Sequence, residues 1–310
     1  MTGRAVLRAV TSTVTGLVVC AALLAQSPSS PASIDVDALL ADARRLAADD
    51  MQGRQVGTPG NAGARALLVA RFRAVGLEPI GDTFEHPFPM PGGVRGVNVL
   101  GRLPGRLPDA PHIVVSAHYD HIGVHGGQVY NGANDNASGA AALPVIAEYF
   151  RRHPTRHPLL FAAFDAEEAN LAGSRAFVAE PPVRRDRIAF NLNLDMIGRD
   201  PDNILWVAGT SRSPWLAPIV ADVARRAPVV LRQGYDDPAR PADDWTRQSD
   251  QWSFIEAGVP AAYVGVSDFD LHHHPDDDFD SLTADFYVRA VETIIALVEA
   301  IDAALETAGP

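Results

Sequence analysis

In this chain of 310 residues, the side chains able to bind metals or move protons gather just after apolar runs. Residues 113–117 form a short apolar run that ends in His118, Tyr119 and Asp120. Leu159–Phe164 is a second, emptying into Asp165, Glu167 and Glu168, and 190–194 is a third, ending in Asp195. Residues 261–266 are followed by SDFDLHHHPDDDFD, which carries His272, His273 and His274. Between the first two runs lies NGANDNASG, with Asp135. Glu167 and Glu168 are adjacent, and like charges side by side raise each other's cost of ionisation. Either both face water or a cation stands between them.

The elements that must position these groups follow from spacing. Residues 34–54 have helical periodicity, with Leu39, Leu40, Ala43, Leu46 and Ala47 on one side. A second helix enters at Thr58-Pro59-Gly60 and stops near Gly76. Residues 83–100 read as edge strands broken by Pro and Gly. Further helices are expected over 137–153, with Pro144 near its first turns, from about Asn170, over 213–227 and over 283–307. Strands are expected at 189–198, 204–209 and 259–266. Apolar strands alternating with helices predict an α/β fold: one domain with a mixed, mainly parallel central sheet and helices on both faces. Sites in such sheets form outside the carboxyl ends of the strands, where these polar residues fall.

Each of them alone has a bland reading. A strand-end Asp caps a helix, a lone His sits on the surface, and residues 236–244 form a solvated acidic loop. Gathered at one edge without a counter-charge, the same carboxylates would cost several kcal/mol per desolvated anion. A divalent cation removes that cost, and mixed His and carboxylate ligands suit zinc with a position left open for water.

A formal net charge of -12 argues against nucleic acid as a partner, because phosphate binding needs clustered cations. The N-terminus reads as separate from the fold. Arg4 and Arg8 precede the apolar run 14–25, and a Pro/Ser-rich stretch follows. We read residues 1–32 as a secretory signal and polar spacer and 33–310 as the folded domain. The apolar run is short for a membrane span, although an N-terminal anchor is the alternative. Val19 before Cys20 makes a poor lipoprotein site.

Together, AHYDHIG, GANDNASGAA, FDAEEANLAGS, NLDMIGR and HHHPDDDFD resemble, in order and spacing, the motifs of the M28 metallopeptidases, secreted or vacuolar aminopeptidases with two co-catalytic zinc ions. DMQGRQVGTPGNAGARA and SDQWSFIEAGVPAAYVG resemble further segments of that family, so the likeness runs from about Asp35 to the end. It implies a secreted exopeptidase, acting as a monomer on peptides with a free N-terminus. By position it implies that His118 and Asp195 bind one zinc, Glu168 and His273 the other, and that Asp135 bridges both. It makes Glu167 the general base and Asp120 the group that orients His118, and it implies a cis Asp135–Asn136 peptide. His273 is the histidine that fits the family's His-x-Pro-x-Asp spacing; His274 replaces its usual Thr. That departure leaves Tyr235 and His272 as alternatives for stabilising the tetrahedral intermediate. Two other readings stand beside the aminopeptidase: a single-zinc glutaminyl cyclase and a non-catalytic domain of the same fold.

Overall fold

The apolar runs form the middle of a nine-stranded sheet in the computed structural model, which describes Met1 and residues 33–305. The expected signal segment and the end of the closing helix lie outside the described residues. In chain order the strands are β1 (Glu78–Pro79), β2 (Glu85–Pro89), β3 (Arg95–Leu103), β4 (His112–His118), β5 (Gly123–His125), β6 (Gln128–Tyr130), β7 (Leu159–Phe164), β8 (Ile188–Leu194), β9 (Ile204–Ala208), β10 (Val230–Gln233) and β11 (Ala261–Gly265). The helices are α1 (Val36–Leu46), α2 (Pro59–Ala74), α3 (Ser138–Arg152), α4 (Ala172–Ala179), α5 (Leu216–Ala224), α6 (Gln251–Glu256) and α7 (Ala284–Leu305).

The sheet order is β1-β3-β7-β4-β8-β11-β9-β10, with β2 also on β3; β5 and β6 pair as a separate hairpin. The four central strands β7, β4, β8 and β11 run parallel. Antiparallel pairings with β3 and β9 flank them, which makes the sheet mixed, with a parallel centre. Strands covered on both faces need apolar residues at consecutive positions, and β4 and β7 are buried throughout. The pleat sends Ile113, Val115, Ala117, Leu159, Phe161 and Ala163 into the larger core, with α1, α2, α3, α5 and α7. It sends Val114, Leu160, Ala162 and Phe164 to the other face, against α4 and α6. There Phe164, Phe177 and Phe254 form an aromatic cluster with centroids 5.5–6.1 Å apart, each pair adding about 0.5–1.5 kcal/mol beyond area burial. On that face β8 carries Asn191 and Asn193, whose buried amides are taken up by Ser116, Ser249 and Gln251.

Two helices differ from expectation where the chain turns left-handed. The helix expected over 34–54 stops at Leu46, and Asp49–Arg54 forms a 3-10 segment with Gln52, Gly53 and Arg54 at positive φ. A Cβ at Gly53 would stand 2.4 Å from the Tyr130 carbonyl oxygen and 2.6 Å from that of Gly123. The chain is thus turned by its fit to the hairpin, a tertiary contact that periodicity does not contain. The helix expected from Asn170 starts at Ala172, because Asn170 and Leu171 are left-handed. Pro144 is buried within the second turn of α3. Among the described residues no helix is long and apolar enough to cross a membrane.

Candidate metal centre

Because β4, β7, β8 and β11 are parallel, their carboxyl ends open on one edge. His118 is the last residue of β4, and Asp195 directly follows β8. After β7, Ala166 is left-handed at φ 58°, which turns the chain so that Glu167 and Glu168 face back over the edge. Asp135 sits in a π-helical turn, Ala133–Ala137, whose Asp135–Asn136 peptide is cis. The loop after β11 brings His272 and His273, the latter also left-handed.

Two residues lock the Asp135 turn. The Asp277 carboxylate accepts the backbone N–H groups of Asn134 and Asp135 at 2.9–3.1 Å. Asn136 donates to the Leu194 carbonyl at 2.9 Å and accepts from the Met196 N–H at 3.2 Å, tying the turn to the end of β8. The histidine loop, the turn and β8 are therefore one hydrogen-bonded unit.

The seven residues expected to bind metal, act as the base or orient a ligand, His118, Asp120, Asp135, Glu167, Glu168, Asp195 and His273, lie at this edge. His118 Nε2 is 3.3 Å from Asp135 Oδ1 and 3.4 Å from Asp195 Oδ1. His273 Nε2 is 3.3 Å from Asp135 Oδ2 and 3.0 Å from Glu168 Oε2. Two donor sets result, one of His118, Asp135 and Asp195, the other of His121, Asp135, Glu168 and His273. They share Asp135, one oxygen to each. Glu167 lines the same cavity of about 280 Å³ as His118, Asp135, Glu168, Asp195 and His273, with Met196, Gln248 and Tyr263. At His118 Nδ1 the nearer Asp120 atom is its backbone carbonyl, 3.2 Å away, with the carboxylate at 3.6 Å. That carboxylate also accepts the Glu167 N–H at 3.0 Å.

The donor sets fit zinc. Donors about 2.0–2.1 Å from a tetrahedral zinc ion stand about 3.3 Å from one another, which is the spacing seen around Asp135. Asp195 Oδ1 is buried and accepts no hydrogen bond, a costly state for a carboxylate oxygen without a cation.

The titration behaviour has the same cause. Burial disfavours a charged His118, yet the charges of Glu167 and Asp195 and its contacts with Asp120 and Asp135 outweigh it and hold its pKa well above the imidazole range. Hydrogen bonds to Asp135 and Glu168 push His273 up to about 10. Burial works against an ionised Asp135, but His121, His118 and His273 keep it well below the carboxylate range. Glu167 goes the other way: burial lifts it well above the usual value, and Asp250, Asp195 and Glu168 add to the rise against His118. Without a metal, protonated imidazoles supply the positive charge that these carboxylates need; a bound cation displaces those protons.

His121 was not singled out in the sequence. It is fully buried, with Nδ1 2.8 Å from Glu168 Oε1 and 3.6 Å from Asp135 Oδ2. Its only sequence signal is a second histidine three places after His118 in AHYDHIG. Of the two alternatives for the intermediate, His272 lines the cavity. Tyr235 is stacked on Trp245 with centroids 3.7 Å apart and is not among the lining residues. The acidic stretch 236–244 is only partly the solvated loop expected. Asp236 is buried and accepts the N–H groups of Gly209 and Ser211, which fixes the loop after β9.

Comparison with known proteins bears on the family and the fold. The model of a family described as peptidase family M28 matches residues 98–298. Aminopeptidase YwaD of Bacillus subtilis (strain 168) is 26% identical over 216 residues, 65% of this chain and 44% of that protein. The chain spans less than half the length of the curated relatives it matches. Two solved structures share the fold. BSAP, a zinc aminopeptidase from Bacillus subtilis, superposes with a TM-score of 0.68 at 16% identity, covering 87% of this chain and 95% of that one. Porphyromonas gingivalis glutaminyl cyclase superposes at 0.70 with 18% identity, covering 87% and 99%.

Proposed function

The chain belongs to peptidase family M28, and from that premise we propose that it is a zinc-dependent exopeptidase, an aminopeptidase trimming peptides from a free N-terminus. One observation carries this reading: two donor sets share Asp135 in a cavity that also holds Glu167. We assign His118 and Asp195 to one zinc, Glu168 and His273 to the other, and Asp135 to both. Bound zinc would supply Lewis acidity, acidifying water and polarising the scissile carbonyl.

The chain's own residues do the rest. Glu167 takes the proton of the attacking water and delivers it to the leaving amine. Asp120 accepts the His118 Nδ1 proton through its backbone carbonyl, which fixes the tautomer that leaves Nε2 free. Its carboxylate anchors the Glu167 backbone, so one residue aligns a ligand and the base. His272, facing the cavity, is placed to donate to the developing oxyanion. A carboxylate-rich cavity attracts the substrate ammonium. Its volume of about 280 Å³ lies just below the usual range of ligand pockets, about 300–1,000 Å³, and suits a chain end. Export through the 1–32 segment and a monomeric state complete the reading.

The test is hydrolysis of aminoacyl chromogenic amides, abolished by a chelator and restored by zinc. The shared fold keeps a glutaminyl cyclase as the second reading. Cyclisation of an N-terminal Gln peptide with one zinc per chain would favour it.

A further inference from the structure

Arg54 lies outside the residues matched by the family model and has no part in the chemistry above, yet it is 0% exposed. Burying a guanidinium costs several kcal/mol unless it is well paired. All four of its hydrogen bonds go to backbone carbonyls: Nε to Tyr119 at 2.8 Å, Nη1 to Leu46 at 2.8 Å and Asn131 at 2.5 Å, and Nη2 to Gly132 at 2.9 Å.

The accepting residues explain the placement. Tyr119 stands between His118 and Asp120. Asn131 and Gly132 lead into the turn that carries Asp135. One planar fork thus clamps the end of β4 to the start of the turn, the two segments whose ligands meet at 3.3 Å. The clamp is itself built in. Arg54 and Gln52 take left-handed φ of 50°, Gly53 has no room for a Cβ, and Asn61 Nδ2 holds the Arg54 carbonyl at 3.0 Å. Burial lowers the Arg54 pKa to about 10, while the charges of Asp135, Asp120, Asp277 and Glu168 oppose the fall. The cation is therefore compensated by the acidic centre as a whole.

Resting on the di-zinc reading, we infer that Arg54 is a positioning residue of the metal centre, setting the spacing of His118 and Asp135 from behind. A fork with five donors in one plane does this; a lysine of equal charge offers three donors from a single nitrogen and cannot span all four carbonyls.

Zinc affinity, read by competition with a chromophoric chelator, tests it in Arg54→Lys. The variant should fold, with an unchanged far-UV spectrum, and bind zinc at least tenfold more weakly. Its kcat should fall at least tenfold with KM within threefold. Met51→Ala is the control, a buried residue of the same segment that touches no ligand. It should lose stability and keep wild-type zinc affinity. If Arg54→Lys binds zinc as wild type does, the inference is overturned and Arg54 is core filling. Should Arg54→Lys not fold, Asn61→Ala carries the test beside Asp165→Ala, because Asn61 Nδ2 donates both to the Arg54 carbonyl and to Asp165 Oδ1. A loss in zinc affinity at least threefold beyond that of Asp165→Ala supports the clamp, and an equal affinity in the two variants overturns it. A wild-type chain that binds no zinc overturns this inference together with the di-zinc reading. Two tightly bound ions in wild type and in Arg54→Lys alike overturn the inference alone.

Discussion

Replacing Asp250 with asparagine should stabilise the metal-free protein at pH 8 and make little difference at pH 4. Asp250 directly precedes α6 and is completely buried, and its oxygens accept no well-formed hydrogen bond. Burial raises its pKa from 3.8 to about 7; Asp120 and Asp195 push the same way, against the His118 charge and the Ser174 hydroxyl. Between those two values the folded state keeps a proton that the unfolded state has lost. Stability therefore falls as pH climbs from about 4 to about 7 and stays low above that. A rise of about 3 units corresponds to about 4 kcal/mol at pH 8. The asparagine removes the charge and buries a neutral polar group in the same dry site, as the protonated acid does at pH 4, so that cost cancels between the two proteins. The net gain at pH 8 should therefore be about 4 kcal/mol. Urea unfolding of both metal-free proteins from pH 4 to 8 measures it: the curves should converge at the acid end and separate with rising pH. Equal stability at pH 8, or a gap that does not change with pH, would refute the reasoning.

Other perturbations separate the roles assigned above. Glu167→Gln should keep both zinc ions and lose about 10²–10⁴ in kcat; turnover near the wild-type rate would remove Glu167 as the base. His121→Phe deletes the 2.8 Å contact with Glu168 and should weaken one zinc ion of the two, seen as a biphasic chelator titration. Two ions held with wild-type affinity would show that His121 is dispensable. In Gly132→Ala, at φ 56°, the new Cβ would meet the Asp135 carbonyl oxygen at 2.1 Å and the His121 ring at 2.5 Å. Zinc affinity should fall at least tenfold in titration calorimetry, and an unchanged value would mean that the turn can move without cost.

The central strands and the ligand-bearing ends were legible because both rest on local pattern. A strand buried on two faces must be apolar at consecutive positions, as in Leu159–Phe164, and its first polar residues then mark the edge of the sheet. That pattern gathered the candidates at one edge, and the roles of five metal donors and a base came from the resemblance to the M28 motifs. What escaped depends on the fold as a whole. His121 reads like any surface histidine until burial brings it to Glu168. Arg54 belongs to a segment whose periodicity continues a helix, and only the fit of Gly53 against the β5–β6 hairpin turns it inward. Asp236 sits in an acidic run, and its burial comes from the Gly209 and Ser211 amides that it caps. The antiparallel pairing of β9 with β11 was equally hidden, since strand direction is set by the connection and not by composition.

The central claim is that two cations hold this cluster of carboxylates and imidazoles together. An anomalous difference map from crystals of the zinc-loaded protein tests it most directly. The account predicts two peaks, about 3.5–4 Å apart, one against His118 and Asp195, the other against Glu168 and His273, with Asp135 between them. A single peak, or none within reach of Asp135, would contradict it.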